Sequence, residues 1–431
     1  MRFDNGLDES TFGSFDSQSG RGCHEVARDF LCLSDEQASC QDDDLCECSW
    51  CDPDRPKLGQ ELRDPDTRNI LRPWQQRRLQ TLGVAEAYGD IIKELEQLPA
   101  AERHSAVVDE LRRVKARMLD CGSFLHFVTG YRPASDQELK RLTHANFCKS
   151  RLCPMCNWRR ARKLAVQLEA VVAEYQRRNP QTALLLLTLT GGRTVDAEGL
   201  GERVDRLQEA FKSLRNRKFW PRKVLAWYRA MEVTVSEGRY HPHFHVLLIV
   251  PREVADKRSK EYLHKTEWQD FWKDCLGLEY DPIVWIEHVR KIKELTKYVT
   301  KPSDYLKWRG CDVGFEADAA AIKALHFGLR RRRMSVWSGE MSKLRGELGF
   351  KDIEGDDADL VENEGFSEDV VPIRHEKYTW CRGKSRKLGS YRLAHMSPVN
   401  EGDEDSDAPP DDLWRDSDQD APEWCVTCGW G

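Results

Sequence analysis

The segment Tyr240-His241-Pro242-His243-Phe244-His245-Val246-Leu247-Leu248 holds three of the chain's 12 histidines. On a strand, alternate side chains share a face, so His241, His243 and His245 point one way. Phe244, Val246 and Leu248 point the other way, towards a core. Two imidazoles two residues apart on a rigid strand form half of a divalent-metal site. Glu232, on the partner strand of the expected hairpin, is the best third ligand, and Glu237 in the turn is the reserve. His241, nearest the turn, is the least secure of the three.

A second chemical group follows at Lys293-Glu294-Leu295-Thr296-Lys297-Tyr298-Val299-Thr300-Lys301. Read as a helix, it puts Glu294 and Tyr298 on one face, and Lys297 and Lys301 one turn apart, where they could hold phosphate. A free phenol, with a pKa near ~10, is a weak nucleophile. Beside a metal that polarises phosphorus it becomes a competent one.

The third group is Cys148-x4-Cys153-Pro154-Met155-Cys156, which has the short Cys-x2-Cys spacing of a structural zinc site. Cys121, His144 and His126 are the choices for its fourth ligand. The helix after it carries Arg159, Arg160, Arg162 and Lys163, expected to contact DNA phosphates. Arg330 and Arg331, in the run to Arg333, and the cluster Lys212–Lys223 are expected to do the same. Trp220 and Trp308 could stack on unpaired bases, whereas Trp268 and Trp272 read as core.

Several elements must position these groups. Ala183–Thr190 reads as a buried strand, Asp196–Arg217 as an amphipathic helix, and Val224–Ser236 with Tyr240–Val250 as a hairpin turning at Glu237-Gly238. Further helices are expected at Asn157–Asn179, Glu261–Asp274 and Ala319–Arg331, and a strand at Ile283–Val289. Cys121–Cys156 reads as irregular. The order gives an α+β fold, a central antiparallel sheet flanked by helices. It is preceded by a helical zinc-knuckle module and bounded by acidic flexible tails. The expected division is 1–60, an acidic Cys-rich arm; 61–120, helical; 121–180, knuckle and basic helix; 181–350, the main domain; and 351–431, an acidic tail ordered near 376–395.

The chain has 431 residues and a net charge of −6. Lys and Arg minus Asp and Glu come to −9 over residues 1–140, +15 over 141–350 and −12 over 351–431. A basic middle of this kind suits a polyanion partner such as nucleic acid. No apolar run approaches the ~20 residues of a membrane span, and the first residues do not read as a secretory signal. A cytoplasmic location is expected. The cysteine clusters then read as metal sites before disulfides. Those at Cys46, Cys48 and Cys51 and at Cys425 and Cys428 are weaker signals.

The series Leu184–Gly192, Glu232–Thr234, Tyr240–Leu248 and Lys293–Tyr305 resembles the replication initiators of small bacterial rolling-circle plasmids, in the HUH endonuclease superfamily. The pattern His-bulky-His is His243-Phe244-His245. Phe147–Arg160, Ala324–Arg331 and the segment from Trp380 to Tyr391 extend the likeness to about residues 118–395. The resemblance implies an HUH, ferredoxin-like palm. It implies Mg²⁺ or Mn²⁺ on His243, His245 and Glu232, with single-stranded or hairpin origin DNA of its own plasmid as substrate. It implies attack by Tyr298 to give a 5′-phosphotyrosine and a 3′-OH primer, with Glu294 activating water for the terminating cleavage. It favours Cys121 as the fourth zinc ligand, because Cys-Gly-Ser recurs there. Host helicase and polymerase are the implied partners. A second tyrosine, Tyr305, allows a two-tyrosine variant. A relaxase, a single-strand transposase and a non-catalytic zinc-bearing DNA-binding regulator are the alternatives.

Overall fold

The computed structural model describes residues 57–63, 72–99, 102, 104–289, 302–310, 313–355, 358–361, 366–382 and 389–399. Glu294, Lys297, Tyr298 and Lys301 lie outside them, as do the N-terminal cysteines, Cys425, Cys428 and residues 400–431. Two helices, α1 (Arg72–Glu96) and α2 (Ser105–Asp120), lead into a hairpin of β1 (Phe124–Arg132) and β2 (Gln137–Ala145). Then come α3 (Pro154–Arg178), β3 (Thr182–Thr190), α4 (Leu200–Arg215), β4 (Ala226–Ser236), β5 (Arg239–Pro251), α5 (Lys265–Leu276) and β6 (Val284–His288). The rest is β7 (Leu306–Trp308), β8 (Phe315–Ala317), α6 (Ala319–Leu329), β9 (Ser335–Trp337), α7 (Gly339–Glu347), β10 (Val371–Arg382) and β11 (Gly389–Pro398). The fold is α+β, with antiparallel sheets flanked by helices. Among the described residues no helix is long and apolar enough to cross a membrane.

The larger sheet has the order β6-β3-β5-β4-β9, every neighbour antiparallel. Its central hairpin turns at Glu237-Gly238, both at positive φ (51° and 71°). That twist matches the strands it joins and pairs Ser236 with Arg239. The register sets Glu232 opposite His243. One face of β5 presents Phe244, whose ring lies 5.7 Å from that of Phe211 on α4. Trp272 on α5 donates its indole N–H to the Thr190 carbonyl at 2.8 Å. Trp268 and Trp272 are buried, as expected. Pro242, which lacks an N–H, sits where β3 has just ended; its carbonyl accepts the Gly191 N–H at 3.1 Å. A proline beyond the last rung deprives the ladder of nothing there.

The smaller sheet has the order β11-β10-β1-β2 and was not expected. Cys121–Cys156 is not irregular; it contains β1 and β2. β10 pairs with β1 across most of the chain. Its buried face is charged: Glu376 contacts Lys140 and accepts hydrogen bonds from Thr129 and Tyr378 at 2.8 and 2.7 Å. Arg374 grips Glu138 with two bonds of 2.7 Å.

Part of the stretch expected to be a mobile acidic tail is also folded. Ile353, Ala358 and Leu360 are buried, and the Leu360 carbonyl accepts Arg159 Nε at 3.1 Å.

Candidate metal centres

On the other face of β5, the His243 and His245 rings stand 5.0 Å apart, nearly perpendicular. Glu232 Oε2 lies 3.1 Å from His245 Nε2 and 3.6 Å from His243 Nε2. One donor atom from each residue falls within 4.8 Å of the other two. Such spacings suit neighbouring ligands on one cation, which lie about 3.0–3.5 Å apart when bonds are near ~2.1 Å.

The far ring nitrogens are held. His243 Nδ1 lies 3.1 Å from the His241 carbonyl, to which it donates. That fixes the tautomer leaving the Nε2 lone pair aimed at the shared point. His245 Nδ1 lies 3.2 Å from Thr188 Oγ1 on β3. Thr188 is a partner that sequence reasoning missed; its signal is a hydroxyl inside the apolar run ALLLLTLT. Burial alone would raise the Glu232 pKa. The hydrogen bonds and charge of His243 and His245 outweigh it and hold the carboxyl well below its ordinary range.

His241 does not join this group. Its Nε2 turns to the Gly192 carbonyl at 3.0 Å, and burial and His243 lower its pKa. Glu237 stays in the turn. Tyr305 follows a 3-10 turn, Pro302–Asp304, rather than a continued helix, and only 2% of it is exposed. A nucleophile so enclosed does not meet a phosphate.

The second centre joins the end of α2, the loop after β2 and the start of α3. Cys121 Sγ lies 3.6 Å from Cys153 Sγ and 3.5 Å from Cys156 Sγ, and Cys148 Sγ lies 3.6 Å from Cys156 Sγ. These distances are too long for a disulfide of about 2.05 Å. They approach the roughly 3.8 Å edge of a tetrahedron around zinc with Zn–S near ~2.3 Å. Backbone N–H groups of Cys148 and Lys149 donate to Cys121 and Cys156 Sγ at 3.3 and 3.2 Å. Lys149 takes a positive φ of 57° to make that turn. All four thiols are buried. Hydrogen bonds from the other three thiols and Thr81 hold the Cys153 thiol low against the pull of burial. Its neighbours pay for it: hydrogen bonds with Cys148 and Cys153 push Cys121 up, and burial pushes Cys156 up. Four sulfurs that cannot ionise together without a cation form a donor set that fits zinc. Thr81, 3.5 Å from Cys153, is a second partner not anticipated. His126 and His144 pair with each other on the small sheet instead.

The basic residues fare differently. Arg159 is 1% exposed, sandwiched between the Trp74 and Trp158 rings, and so does not reach a DNA phosphate. Arg160 is bound to the Ile353, Ser150 and Lys149 carbonyls. Lys163 holds those of Asp359 and Val361, at 3.1 and 2.5 Å. The basic helix therefore clamps Ile353 and the backbone of Asp359, Leu360 and Val361. Arg330 pairs with Glu110 at 2.6 Å, while Arg331 is exposed. In the Lys212–Lys223 cluster, Lys212, Arg217 and Lys223 each face a carboxylate. Trp220 is buried against Phe211 rather than free to stack on bases. Trp308 packs on Phe315.

An antiparallel sheet presenting a His-x-His and carboxylate cluster that could hold a metal ion is the class the geometry defines. The comparisons narrow it: the replication-protein family Rep_1 matches residues 139–388, and the chain belongs to that family of plasmid replication initiators. A Protein rep of Lactiplantibacillus plantarum is 28% identical over 333 residues, 74% of this chain and 95% of the relative. One from Lentilactobacillus hilgardii is 32% identical over 313 residues, 70% and 89%. One from Staphylococcus aureus is 34% identical over 195 residues, 43% and 82%. No solved structure matches the chain.

Proposed function

We propose that this replication initiator is an HUH-type, metal-dependent nicking and joining enzyme acting on single-stranded or hairpin DNA at its plasmid's double-strand origin. The observation that carries the reading is the convergence of His243 Nε2, His245 Nε2 and Glu232 Oε2 on one point, with the opposite nitrogen of each ring held. The reaction is assigned to residues 181–350, with 121–180 as the accompanying module.

His243, His245 and Glu232 would hold a divalent cation, and two nitrogens with one oxygen favour Mn²⁺ over Mg²⁺. Such a cation, when bound, neutralises and polarises the scissile phosphate. Tyr298 attacks phosphorus. The phenol loses its proton, the DNA 3′-oxygen leaves and gains one, and the 5′-phosphate stays on Tyr298. Glu294 then serves as general base for the water of the terminating cleavage. Lys297 and Lys301 steady phosphates. The described chain leaves the large sheet at Val289, whose N–H bonds the Leu184 carbonyl at 3.2 Å. It returns at Asp304, which accepts the Val235 N–H at 3.1 Å. The triad's rung lies between these two attachment points.

Cys121, Cys148, Cys153 and Cys156 would hold a structural Zn²⁺. Extension of the freed 3′-OH requires host helicase and polymerase in the cytoplasm.

The test uses purified protein, Mn²⁺ and single-stranded oligonucleotides tiling its replicon. The expected result is an EDTA-sensitive covalent adduct that mass spectrometry places on Tyr298. Tyr298→Phe should abolish it while DNA binding survives, and Glu232→Ala should lower its rate at least about 100-fold. An adduct formed by Tyr298→Phe would remove Tyr298 from the mechanism. Binding without any adduct on any tile would leave a non-catalytic DNA-binding role.

A further inference from the structure

Trp285 differs from the other described tryptophans. Trp74, Trp158, Trp220, Trp227, Trp268 and Trp272 are buried and Trp308, Trp337 and Trp380 half-buried, whereas Trp285 is 53% exposed. It lies on β6, an edge strand of the large sheet. In the register Trp285 pairs with Thr188, and Thr188 pairs with His245. Directly paired residues of antiparallel strands project from the same face. Trp285 therefore stands on the face of the metal triad, on its rung, two strands or about 10 Å away.

Lys265, at the start of α5, sets its ammonium 4.9 Å from the centre of the Trp285 ring. The indole thus has a cation beside it and more than half its surface open to solvent. Ile283, two residues earlier, is also exposed. At the other end of β6 an open cleft is lined by Arg252, Lys257, Arg258 and His288, with Asp256 the acid among them. An exposed indole on a sheet edge is an aggregation hazard unless something covers it. An aromatic face beside cations is what a flexible, unpaired nucleic-acid strand recognises.

We propose that Trp285 and Lys265 form a single-stranded DNA subsite, in which an unpaired base adjoining the phosphate at the triad stacks on the indole and Lys265 takes a neighbouring phosphate. This rests on the nicking reading above and adds a determinant to it. A base in a duplex already has its faces covered, so the subsite selects melted or looped DNA.

The test measures binding in EDTA, independently of cleavage. The probes are a fluorescein-labelled oligothymidylate and a duplex of the same length. Trp285→Ala should raise the dissociation constant for the single strand roughly tenfold, the effect of one lost stacking platform. Trp285→Phe should stay within about threefold of wild type, and the duplex constant should not move. Lys265→Ala should weaken single-strand binding and flatten its salt dependence. Thermal unfolding followed by circular dichroism checks that each variant is folded. An unchanged single-strand constant in Trp285→Ala, an equal loss on duplex, or no single-strand binding by wild type would overturn the subsite. Cleavage assays on the same proteins separate the two readings. A wild-type adduct with no Trp285 effect sinks the subsite alone. A Trp285 effect with no adduct sinks the nicking reading alone.

Discussion

Each of the four buried cysteines is placed by a different contact: Cys121 by the Cys148 N–H, Cys156 by the Lys149 N–H, Cys153 by Thr81, and Cys148 by the Cys156 thiol. On the proposed zinc reading, Cys156→Ala should take the metal content from one zinc per chain to none by atomic absorption. It should also lower the thermal midpoint by 10 °C or more, roughly, because metal affinity and folding are one equilibrium here. Zinc needs thiolates, so retention should improve as pH rises and fail on acidification. Zinc content unchanged in the variant would exclude Cys156 as a ligand. The cysteine spacing was legible in the sequence because Cys-x2-Cys is a local geometry. The fate of Arg159 was not: four basic residues near one helix start read as one surface, yet Arg159 turns inward to Trp74 and Trp158. His241 was equally opaque, because alternation fixes a face but not where a ring is aimed.

Elements differ in how openly they announce themselves. β5 alternates histidines with apolar residues, so its faces, its turn and its partner Glu232 could all be read from the sequence. β1, β2 and β10 could not, because the small sheet buries Lys140 and Glu376 on its inner face, with Arg374 and Glu138 half-buried beside them. A strand whose buried side is charged erases the apolar period of two by which strands are recognised. Helix packing gives a sharper expectation. A Cβ on Gly83 of α1 would strike the Phe315 carbonyl of β8, whereas one on Gly346 of α7 would meet nothing within 4 Å. Gly83→Ala should destabilise by about 1–3 kcal/mol. Gly346→Ala, at a helical site with open space, should stabilise by up to about 1 kcal/mol. Urea unfolding of the two variants gives opposite shifts of midpoint, and equal shifts would contradict the packing of α1 on β8.

At the scale of the molecule, Lys140 and Glu376 are 236 residues apart in sequence and buried against each other. Burial opposes the Glu376 charge, but Lys140 and Arg374 prevail and hold its pKa down to about 2, from 4.5. A carboxyl held low stabilises the fold above its unfolded pKa and loses that contribution as pH falls towards 2. Glu376→Gln leaves Lys140 buried with no carboxylate and should cost about 3–5 kcal/mol at pH 7. The gap to wild type should narrow between about pH 4.5 and pH 2. Chemical unfolding at pH 7 and pH 3 measures both, and a gap that is constant with pH would refute the ion pair. The same sheet imposes a schedule on synthesis. β1 and β2 leave the ribosome early, but β10 follows only after more than two hundred further residues, roughly 10–50 s at ordinary elongation rates. Throughout that interval the edge of β1 is open and the large sheet can already be complete. A chain released before β11 would carry Glu232, His243 and His245 but lack an outer strand of the small sheet, so the last described strands are the ones that certify a finished molecule.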